Sequence, residues 1–217
     1  MKRCVDLRLA ATDRERLAEV SVALGAPLDA RAIGRVAEFA ELLGIWAART
    51  NLISCRNGRE LVDRHVLDSL VLAQHLRAAG VIVDLGSGAG FPGVPLAIAF
   101  PEKRLILVEP RRRRASFLRE VARRVAPNIE VAIRRAELED GPAIASDAVV
   151  SRAVWADESI ASVAAPWLRP GGVLVWVRGA NAAVKLATDA ALQIRDSIPY
   201  EIPGSHRGRI EVFERLS

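Results

Sequence analysis

The chain has 217 residues, of which 51% are hydrophobic and 26% charged, and it carries a formal net charge of +5 with a sequence pI of about 10.0. These proportions are typical of a folded protein with one substantial core, and they exclude disorder on a large scale. The positive balance favours a polyanionic partner such as RNA, although a GC-rich genome accounts equally well for a chain rich in arginine and alanine.

Charged residues interrupt every apolar run near the N-terminus. We therefore expect neither a secretory signal nor a membrane span, and we predict a cytoplasmic protein. The two cysteines, Cys4 and Cys55, are too few and too far apart for a disulfide framework or a zinc site. We accordingly predict no metal.

Residues 1–78 show helical periodicity and no convincing strand. Apolar residues recur at three- and four-residue spacing over Ile33–Trp46, which predicts one apolar stripe on a long helix. Asn57, with Glu60 three residues later, has the features of an N-cap for another helix that continues to about residue 73. This part of the chain is predicted to form an N-terminal helical cap or subdomain.

From residue 79 to residue 217, short apolar runs alternate with helical segments. Such alternation predicts right-handed crossovers onto a parallel sheet, followed by an antiparallel pair around Pro203–Gly204. Arg169–Gly172 is predicted to be a turn ahead of the fifth strand. The predicted strands are 81–85, 104–109, 129–133, 147–151, 172–177, 197–201 and 209–214, and the predicted helices lie near 92–100, 112–126, 157–165 and 181–192.

The most informative stretch is Asp84–Gly93, with the sequence Asp-Leu-Gly-Ser-Gly-Ala-Gly-Phe-Pro-Gly. A buried strand that ends in a glycine-rich turn and opens into a helix brings bare backbone N–H groups close to a ligand. Gly88–Gly93 satisfies the dinucleotide pattern G-x-G-x-x-G, but that pattern alone is weak. The loop therefore predicts a nucleotide cofactor, with a purely structural strand-to-helix connection as the alternative.

Two carboxylates help to choose between S-adenosylmethionine and NAD. Asp84 ends the first predicted strand, where it can accept hydrogen bonds from an amino-acid ammonium, which NAD lacks, or can order the loop. Glu109 closes the second strand about twenty residues past the glycines, where a carboxylate holds the ribose hydroxyls of either cofactor. Pro92 and Pro95 remove two of the donors that a pyrophosphate would need. The balance favours S-adenosylmethionine.

Several segments together match a known family. They are Trp46 with Asn51–Ser54, Arg64–Leu70, Asp84–Pro95, Glu109–Leu118 and Val150–Ala153. In these segments the chain resembles the bacterial small-subunit rRNA methyltransferases called RsmG, formerly GidB. The combination of an Arg-His-x-x-Asp-Ser helix with the Gly-x-Gly-x-Gly-x-Pro-Gly loop is much more specific than either motif alone.

The resemblance implies a class I S-adenosylmethionine-dependent methyltransferase fold, Rossmann-like, with a mostly parallel seven-stranded sheet. It implies methyl transfer to N7 of a guanine in 16S rRNA of the small ribosomal subunit. We also expect a monomer with no membrane partner. Combined with the analysis of the loop, it gives a predicted cofactor site composed of Asp84, Gly86, Gly88, Gly90, Phe91, Glu109, Ala136, Glu137 and Arg152. A methyltransferase acting on another RNA or on a small molecule, and an NAD-dependent oxidoreductase, are the alternatives.

Three positions depart from the family pattern. Ala47 follows Trp46 where the family usually has asparagine, Arg178 precedes Gly179 where it often has lysine, and His206-Arg207 stands where Arg-His is expected. None of these positions belongs to the predicted cofactor site. The differences concern the contacts with RNA.

Methyl transfer to guanine N7 requires alignment of donor and acceptor rather than proton transfer. N7 carries a lone pair and no proton, so we predict no catalytic base. His65, Asp68 and Ser69 share one helix face. They could form a polar lining of the substrate cleft or a buried brace between the helical cap and the sheet, and we favour the brace. Arg152 could contact the cofactor, a phosphate or guanine O6.

Arg111–Arg114 are four consecutive cations at a predicted helix start, where the macrodipole disfavours positive charge. A local cost of this kind suggests a polyanion nearby. The alternative is a solvated, arginine-rich helix. The predicted RNA-binding residues are Arg111, Arg112, Arg113, Arg114, Arg123, Arg124 and His65.

Overall fold

The computed structural model describes residues 6–50, 52–137, 145–152, 159–180 and 191–216. Its strands are β1 (Val81–Leu85), β2 (Arg104–Val108), β3 (Ile129–Ala132), β4 (Ser146–Arg152), β5 (Leu168–Gly179), β6 (Leu192–Ile202) and β7 (His206–Arg215). They form one seven-stranded sheet in the order β3-β2-β1-β4-β5-β7-β6. The first five strands pair in parallel, and β7 runs antiparallel to β5 and β6. The predicted mostly parallel sheet is confirmed.

Helices flank the sheet and precede it. They are α1 (Ala11–Ala23), α2 (Ala30–Ala47), α3 (Gly58–Leu61), α4 (Leu67–Leu70), α5 (Gly93–Ala99), α6 (Arg112–Arg124) and α7 (Ser159–Ala164). Within the described ranges, none of them is long and apolar enough to cross a membrane.

The helix predicted from Asn57 onward is confirmed at its start and changed along its length. The Asn57 side chain accepts a hydrogen bond from the Glu60 backbone N–H at 2.9 Å, which is the predicted N-cap. The chain then widens into a π-helical turn over Val62–Val66, which separates α3 from α4. Periodicity of apolar residues predicts a helix but does not distinguish a regular turn from a π-turn.

The turn predicted at Arg169–Gly172 is wrong, because these residues lie inside β5. Gly171 has a φ of +73°, and the pairing of β4 with β5 shifts register between Ser146 and Ala148. A bulge of this kind absorbs a turn-like glycine without ending the strand.

The predicted antiparallel pair at the end of the chain is confirmed, and both strands are longer than 197–201 and 209–214. Most of the helix predicted near 181–192 lies outside the described residues. Its last residue, Leu192, is wrongly assigned, because it begins β6.

The sheet has a different apolar core on each face. On β1, Ile82 packs in a cluster with residues of α1, α2, α5 and α6, whereas Val83 packs in a second cluster with residues of α7. This division follows from the alternation of side chains along a strand. The helices before residue 78 thus share an apolar cluster with one face of the sheet, and a separate domain boundary there stays a prediction.

The order in which strands are added to the sheet reverses at β1. Strands β2 and β3 lie on one side of β1, and β4 to β7 lie on the other. In open α/β sheets, ligands bind outside the carboxyl ends of the strands at such a point. The glycine-rich loop after β1, Glu109 after β2 and Arg152 at the end of β4 all lie at this edge.

Candidate active site

Backbone hydrogen bonds fix the glycine-rich loop at the carboxyl ends of β1 and β2. The N–H groups of Gly86 and Ser87 donate to the carbonyl of Val108, at 2.9 and 3.1 Å. Gly86, Gly88 and Gly90 have φ values of +75°, +56° and +96°, in the region where glycine is favoured. The loop therefore needs its glycines for its own conformation.

Asp84 is buried at the end of β1 and orders the loop. Its Oδ2 atom accepts a hydrogen bond from the Gly93 N–H at 3.0 Å, whereas its Oδ1 atom has no partner within the described residues. Burial raises the pKa of the Asp84 carboxyl to about 7. A Cβ atom on Gly93 would lie 2.6 Å from Asp84 Oδ2 and 2.3 Å from Leu107 Cδ2. A side chain at this first helical residue would therefore force Asp84 and Leu107 to move.

Glu109 joins the loop to the start of α6. Its Oε2 atom accepts from the Gly88 N–H at 3.0 Å, and its Oε1 atom accepts from the Arg111 N–H at 2.8 Å. Ala136 and Glu137 follow β3 at the same edge of the sheet, and Ala136 is buried while Glu137 is exposed. The structure thus brings Asp84, the loop glycines and Glu109 together.

Arg152 extends from the end of β4 towards the N-terminal helices. Its Nη1 atom donates to Asp68 Oδ2 at 2.8 Å and to the Arg64 carbonyl at 3.0 Å, and its Nη2 atom lies 2.8 Å from His65 Nδ1. The guanidinium carbon lies 5.3 Å from the centre of the Phe91 ring. Arg152 therefore contacts both the glycine-rich loop and the helix before the sheet.

Asp68 connects three distant parts of the chain. Besides Arg152, its carboxylate accepts from the Tyr200 hydroxyl at 2.5 Å and lies 2.7 Å from His206 Nε2. Burial alone raises the pKa of Asp68, but the hydrogen bonds from His206 and Tyr200 and the Arg152 charge together hold it below its ordinary value. Asp68 is ionised and forms a brace between helix, sheet and C-terminal hairpin.

His65 is neutral in this cluster. Burial and the neighbouring Arg152 charge lower the pKa of His65 to about 4. Because Arg152 is a donor, His65 Nδ1 accepts and the ring proton lies on Nε2. Ser69 takes no part in the brace, since its hydroxyl donates to the His65 carbonyl within the helix.

A cavity of about 480 Å³ opens beside this cluster. It is lined by Ser54, Glu60, Arg64, His65, Asp68, Arg152, Trp176, Val177, Arg178, Gly179, Tyr200, His206 and Arg207. The sequence did not identify Tyr200 or His206 as site residues. For His206 the available signal was its departure from the family pattern, and Tyr200 is the single tyrosine of the chain.

The predicted RNA-binding arginines differ in position and surroundings, because Arg111–Arg114 lie at the start of α6 and Arg123 and Arg124 lie at its end. Arg111–Arg114 line a second cavity of about 450 Å³ with Arg49, Thr50 and Leu52. Arg123 is exposed on α6. Arg124 donates to Glu38 of α2 at 3.0 Å, so its charge is already paired within the protein.

Solved structures share this fold at low sequence identity. The structure of TrmN from Thermus thermophilus aligns with a TM-score of 0.52 at 18% identity, over 71% of this chain and 53% of that chain. A chain of the fibrillarin/Nop5p complex aligns with a TM-score of 0.53 at 20% identity, over 73% of this chain and 85% of that chain. At these identities the likeness concerns the fold alone, and it confirms the predicted class I methyltransferase fold.

Sequence comparison identifies the family. The family described as rRNA small subunit methyltransferase G, or GidB, matches residues 33–213. The ribosomal RNA small subunit methyltransferase G of Xanthomonas campestris pv. campestris (strain B100) is 38% identical, over 82% of this chain and 84% of its own length. The protein of the same name from Mycolicibacterium gilvum (strain PYR-GCK) is 37% identical, over 71% of this chain and 69% of its own length. The chain belongs to the rRNA small subunit methyltransferase G family.

Proposed function

We propose that this chain is an S-adenosylmethionine-dependent enzyme that methylates N7 of a guanine in 16S rRNA of the small ribosomal subunit. Membership of the methyltransferase family supports the reaction and the substrate class. The observation that carries the proposal is the convergence of the glycine-rich loop, Asp84 and Glu109 where the strand order reverses. Ligands of open α/β sheets bind at this place.

The residues at this edge fit S-adenosylmethionine. Asp84 Oδ1 is a buried acceptor without a partner in the described ranges, and an amino-acid ammonium would supply one. Each oxygen of Glu109 accepts one backbone hydrogen bond and keeps a lone pair for a ribose hydroxyl. The proposed cofactor residues are Asp84, Gly86, Gly88, Gly90, Phe91, Glu109, Ala136 and Glu137. Arg152 was also predicted to contact the cofactor, but its guanidinium is held by Asp68, His65 and the Arg64 carbonyl, and we do not include it in the proposed cofactor site.

The protein's part in the reaction is alignment. When bound, S-adenosylmethionine supplies a methyl group on a sulfonium that a nucleophile can attack directly. The surrounding residues then have to hold guanine N7 in line with that group and exclude water. N7 carries no proton, so no base is needed. His65 fits this scheme, because its Nδ1 lone pair already accepts from Arg152.

The cavity beside α6 is the proposed contact for RNA phosphates. Five arginines line it, namely Arg49 and Arg111–Arg114, and the described lining contains no carboxylate. Arginine groups provide bidentate donors for phosphate oxygens. Arg123 and His65 are further proposed contacts, and Arg124 is a weaker one because it pairs with Glu38.

The family assignment does not favour an NAD-dependent oxidoreductase or a methyltransferase for another substrate. Our proposal includes a cytoplasmic location, a monomeric state and a reaction without metal.

A titration by calorimetry tests the cofactor. We expect S-adenosylhomocysteine to bind and NADH not to bind. Glu109→Gln should weaken the binding of S-adenosylhomocysteine, whereas Glu130→Gln, which changes an exposed carboxylate on the neighbouring strand β3, should leave it unchanged. Binding of NADH in place of S-adenosylhomocysteine would contradict the proposal.

A further inference from the structure

We propose that the 480 Å³ cavity receives the acceptor guanine and that Asp68 is a positioning residue for this base, because it fixes the Arg152 guanidinium that binds guanine O6. This inference rests on the proposed function and assigns the site of its second substrate. Three features of the molecule carry it: the place of the cavity, the orientation of Arg152 and the second oxygen of Asp68.

The cavity lies beside side chains that contact the glycine-rich loop. The Phe91 ring lies 5.0 Å from the His65 ring and 5.3 Å from the Arg152 guanidinium, and both of these side chains line the cavity. A base in the cavity would therefore contact two side chains, His65 and Arg152, that also contact the proposed cofactor loop. The cavity volume lies within the range of about 300–1,000 Å³ that is usual for small-ligand sites.

The orientation of Arg152 decides which atom of the guanine it can bind. Arginine normally binds guanine through O6 and N7 together, and a donor on N7 would occupy the lone pair that has to attack the methyl group. Arg152 is fixed by three hydrogen bonds, to Asp68, His65 and the Arg64 carbonyl. A guanidinium held in this way can offer its remaining N–H donors to O6 without turning onto N7.

The second oxygen of Asp68 is anchored by the C-terminal hairpin. Asp68 Oδ1 contacts Tyr200 and His206, from β6 and β7, while Asp68 Oδ2 accepts from Arg152. Tyr200 and His206 also line the cavity. Tyr200 and His206 therefore anchor the carboxylate that orients Arg152.

A double-mutant cycle tests this role with small ribosomal subunits from cells that lack the gene. We expect Asp68→Asn to lower kcat/KM for subunits by about 10- to 100-fold and to leave the affinity for S-adenosylhomocysteine within about twofold. In an Arg152→Ala background, the same change should cost no more than about twofold, because Asp68 acts through Arg152. The proposal would be overturned if the losses of kcat/KM caused by Asp68→Asn and Arg152→Ala multiplied in the double variant. It would also be overturned if Asp68→Asn kept the wild-type kcat/KM.

Asp63→Asn is the matched control for stability. Asp63 is a buried carboxylate in the π-helical turn that precedes α4. It accepts from Arg16 and Arg59 at 2.5 and 2.7 Å and does not line the cavity. It should lower the melting temperature and leave kcat/KM unchanged. An equal loss of kcat/KM in Asp63→Asn and Asp68→Asn would make the effect structural and overturn the proposal.

If Asp68→Asn is too unstable to assay, Asp68→Glu carries the test, since it keeps the charge but displaces it by one methylene. Asp68→Glu should also lower kcat/KM, and a wild-type kcat/KM in this variant would overturn the proposal. Failure of the proposed function looks different, because the wild-type protein would then transfer no methyl group to any subunit.

Discussion

The glycine-rich loop and the Asp68 cluster lie at the same edge of the sheet but are built differently. The loop consists of consecutive residues between β1 and α5, and backbone groups make most of its contacts. The cluster assembles side chains from a helix, a strand end and a hairpin, and its members Asp68 and His206 are 138 positions apart. The loop is therefore encoded locally, whereas the cluster exists only in the folded chain.

The pKa of a buried carboxylate is also shifted in opposite directions in the two regions. Burial raises the pKa of Asp84 to about 7, because the single hydrogen bond from the Gly93 N–H does not offset the missing hydration. The pKa of Asp68 is lowered, because Arg152, His206 and Tyr200 surround it. The comparison shows that partners, rather than burial alone, decide whether a buried carboxylate is charged.

The largest effect on stability should come from breaking the cluster. Asp68→Ala leaves the Arg152 guanidinium, only 14% exposed, without its counterion, and we expect a loss of about 3–5 kcal/mol in the free energy of unfolding. Urea denaturation measures this loss. Asp6→Ala, which removes an exposed partner of Arg8, should cause no measurable change. Equal stability of the two variants would show that the cluster is not a brace.

Charge reversal beside the loop should affect RNA rather than folding. Replacing Arg111, Arg112 and Arg113 by glutamate should weaken the binding of small subunits and reduce its salt dependence by about one unit of slope for each phosphate that is no longer neutralised. Arg104→Glu is the control, because Arg104 starts β2 at the opposite edge of the sheet. Unchanged methylation of subunits by the triple variant would refute the proposed RNA surface.

Within the loop, packing at Gly93 should be sensitive to a single methyl group. Gly93→Ala places a Cβ against Asp84 and Leu107, and overpacking of this kind costs about 1–3 kcal/mol. Gly34→Ala on α2 meets nothing within 4 Å and should instead stabilise the protein by about 0.5–1 kcal/mol. Thermal denaturation of both variants checks the contrast, and a neutral Gly93→Ala would contradict it.

The pH dependence of stability should differ in sign between the regions. His65 has a pKa of about 4 when folded against an ordinary 6.5, so the unfolded state binds more protons between these values and stability is lost as pH falls. Asp84 has a pKa of about 7 against an ordinary 3.8, so the folded state binds more protons and stability is lost as pH rises through that window.

The variants His65→Gln and Asp84→Asn separate these contributions. Relative to the wild type, His65→Gln should lose less stability as pH falls from 6.5 to about 4, and Asp84→Asn should lose less as pH rises from about 4 to 7. We expect each difference to be on the order of 1–3 kcal/mol. Denaturation curves at several pH values measure the free energy of unfolding of each variant relative to the wild type. If this difference changed with pH in the same direction for both variants, one of the assigned protonation states would be wrong.

The strands and the glycine-rich loop could be predicted because their signals are local. The apolar runs at Val81–Leu85 and Arg104–Val108 follow the alternation with helices, and Glu109 follows directly after the second strand. The π-helical turn at Val62–Val66 could not be predicted, because a wider turn leaves no mark in apolar periodicity. The bulge in β5 resembled a turn, because both use glycine at positive φ.

The Asp68 cluster was predicted only in part, because its members come together from distant positions in the chain. The shared helix face of His65 and Asp68 is visible in the sequence, but the contacts of Asp68 with Arg152, Tyr200 and His206 depend on the order of the strands. Pairing of Arg124 with Glu38 is likewise a contact between distant helices. Spacing along the chain carries no information about such partners.

The most direct measurement is a map of modified bases in 16S rRNA from cells that lack this gene. The proposed function predicts that one 7-methylguanosine is missing from these cells and returns when the wild-type gene, but not the Glu109→Gln gene, is restored. An unchanged set of 7-methylguanosines in 16S rRNA would contradict it.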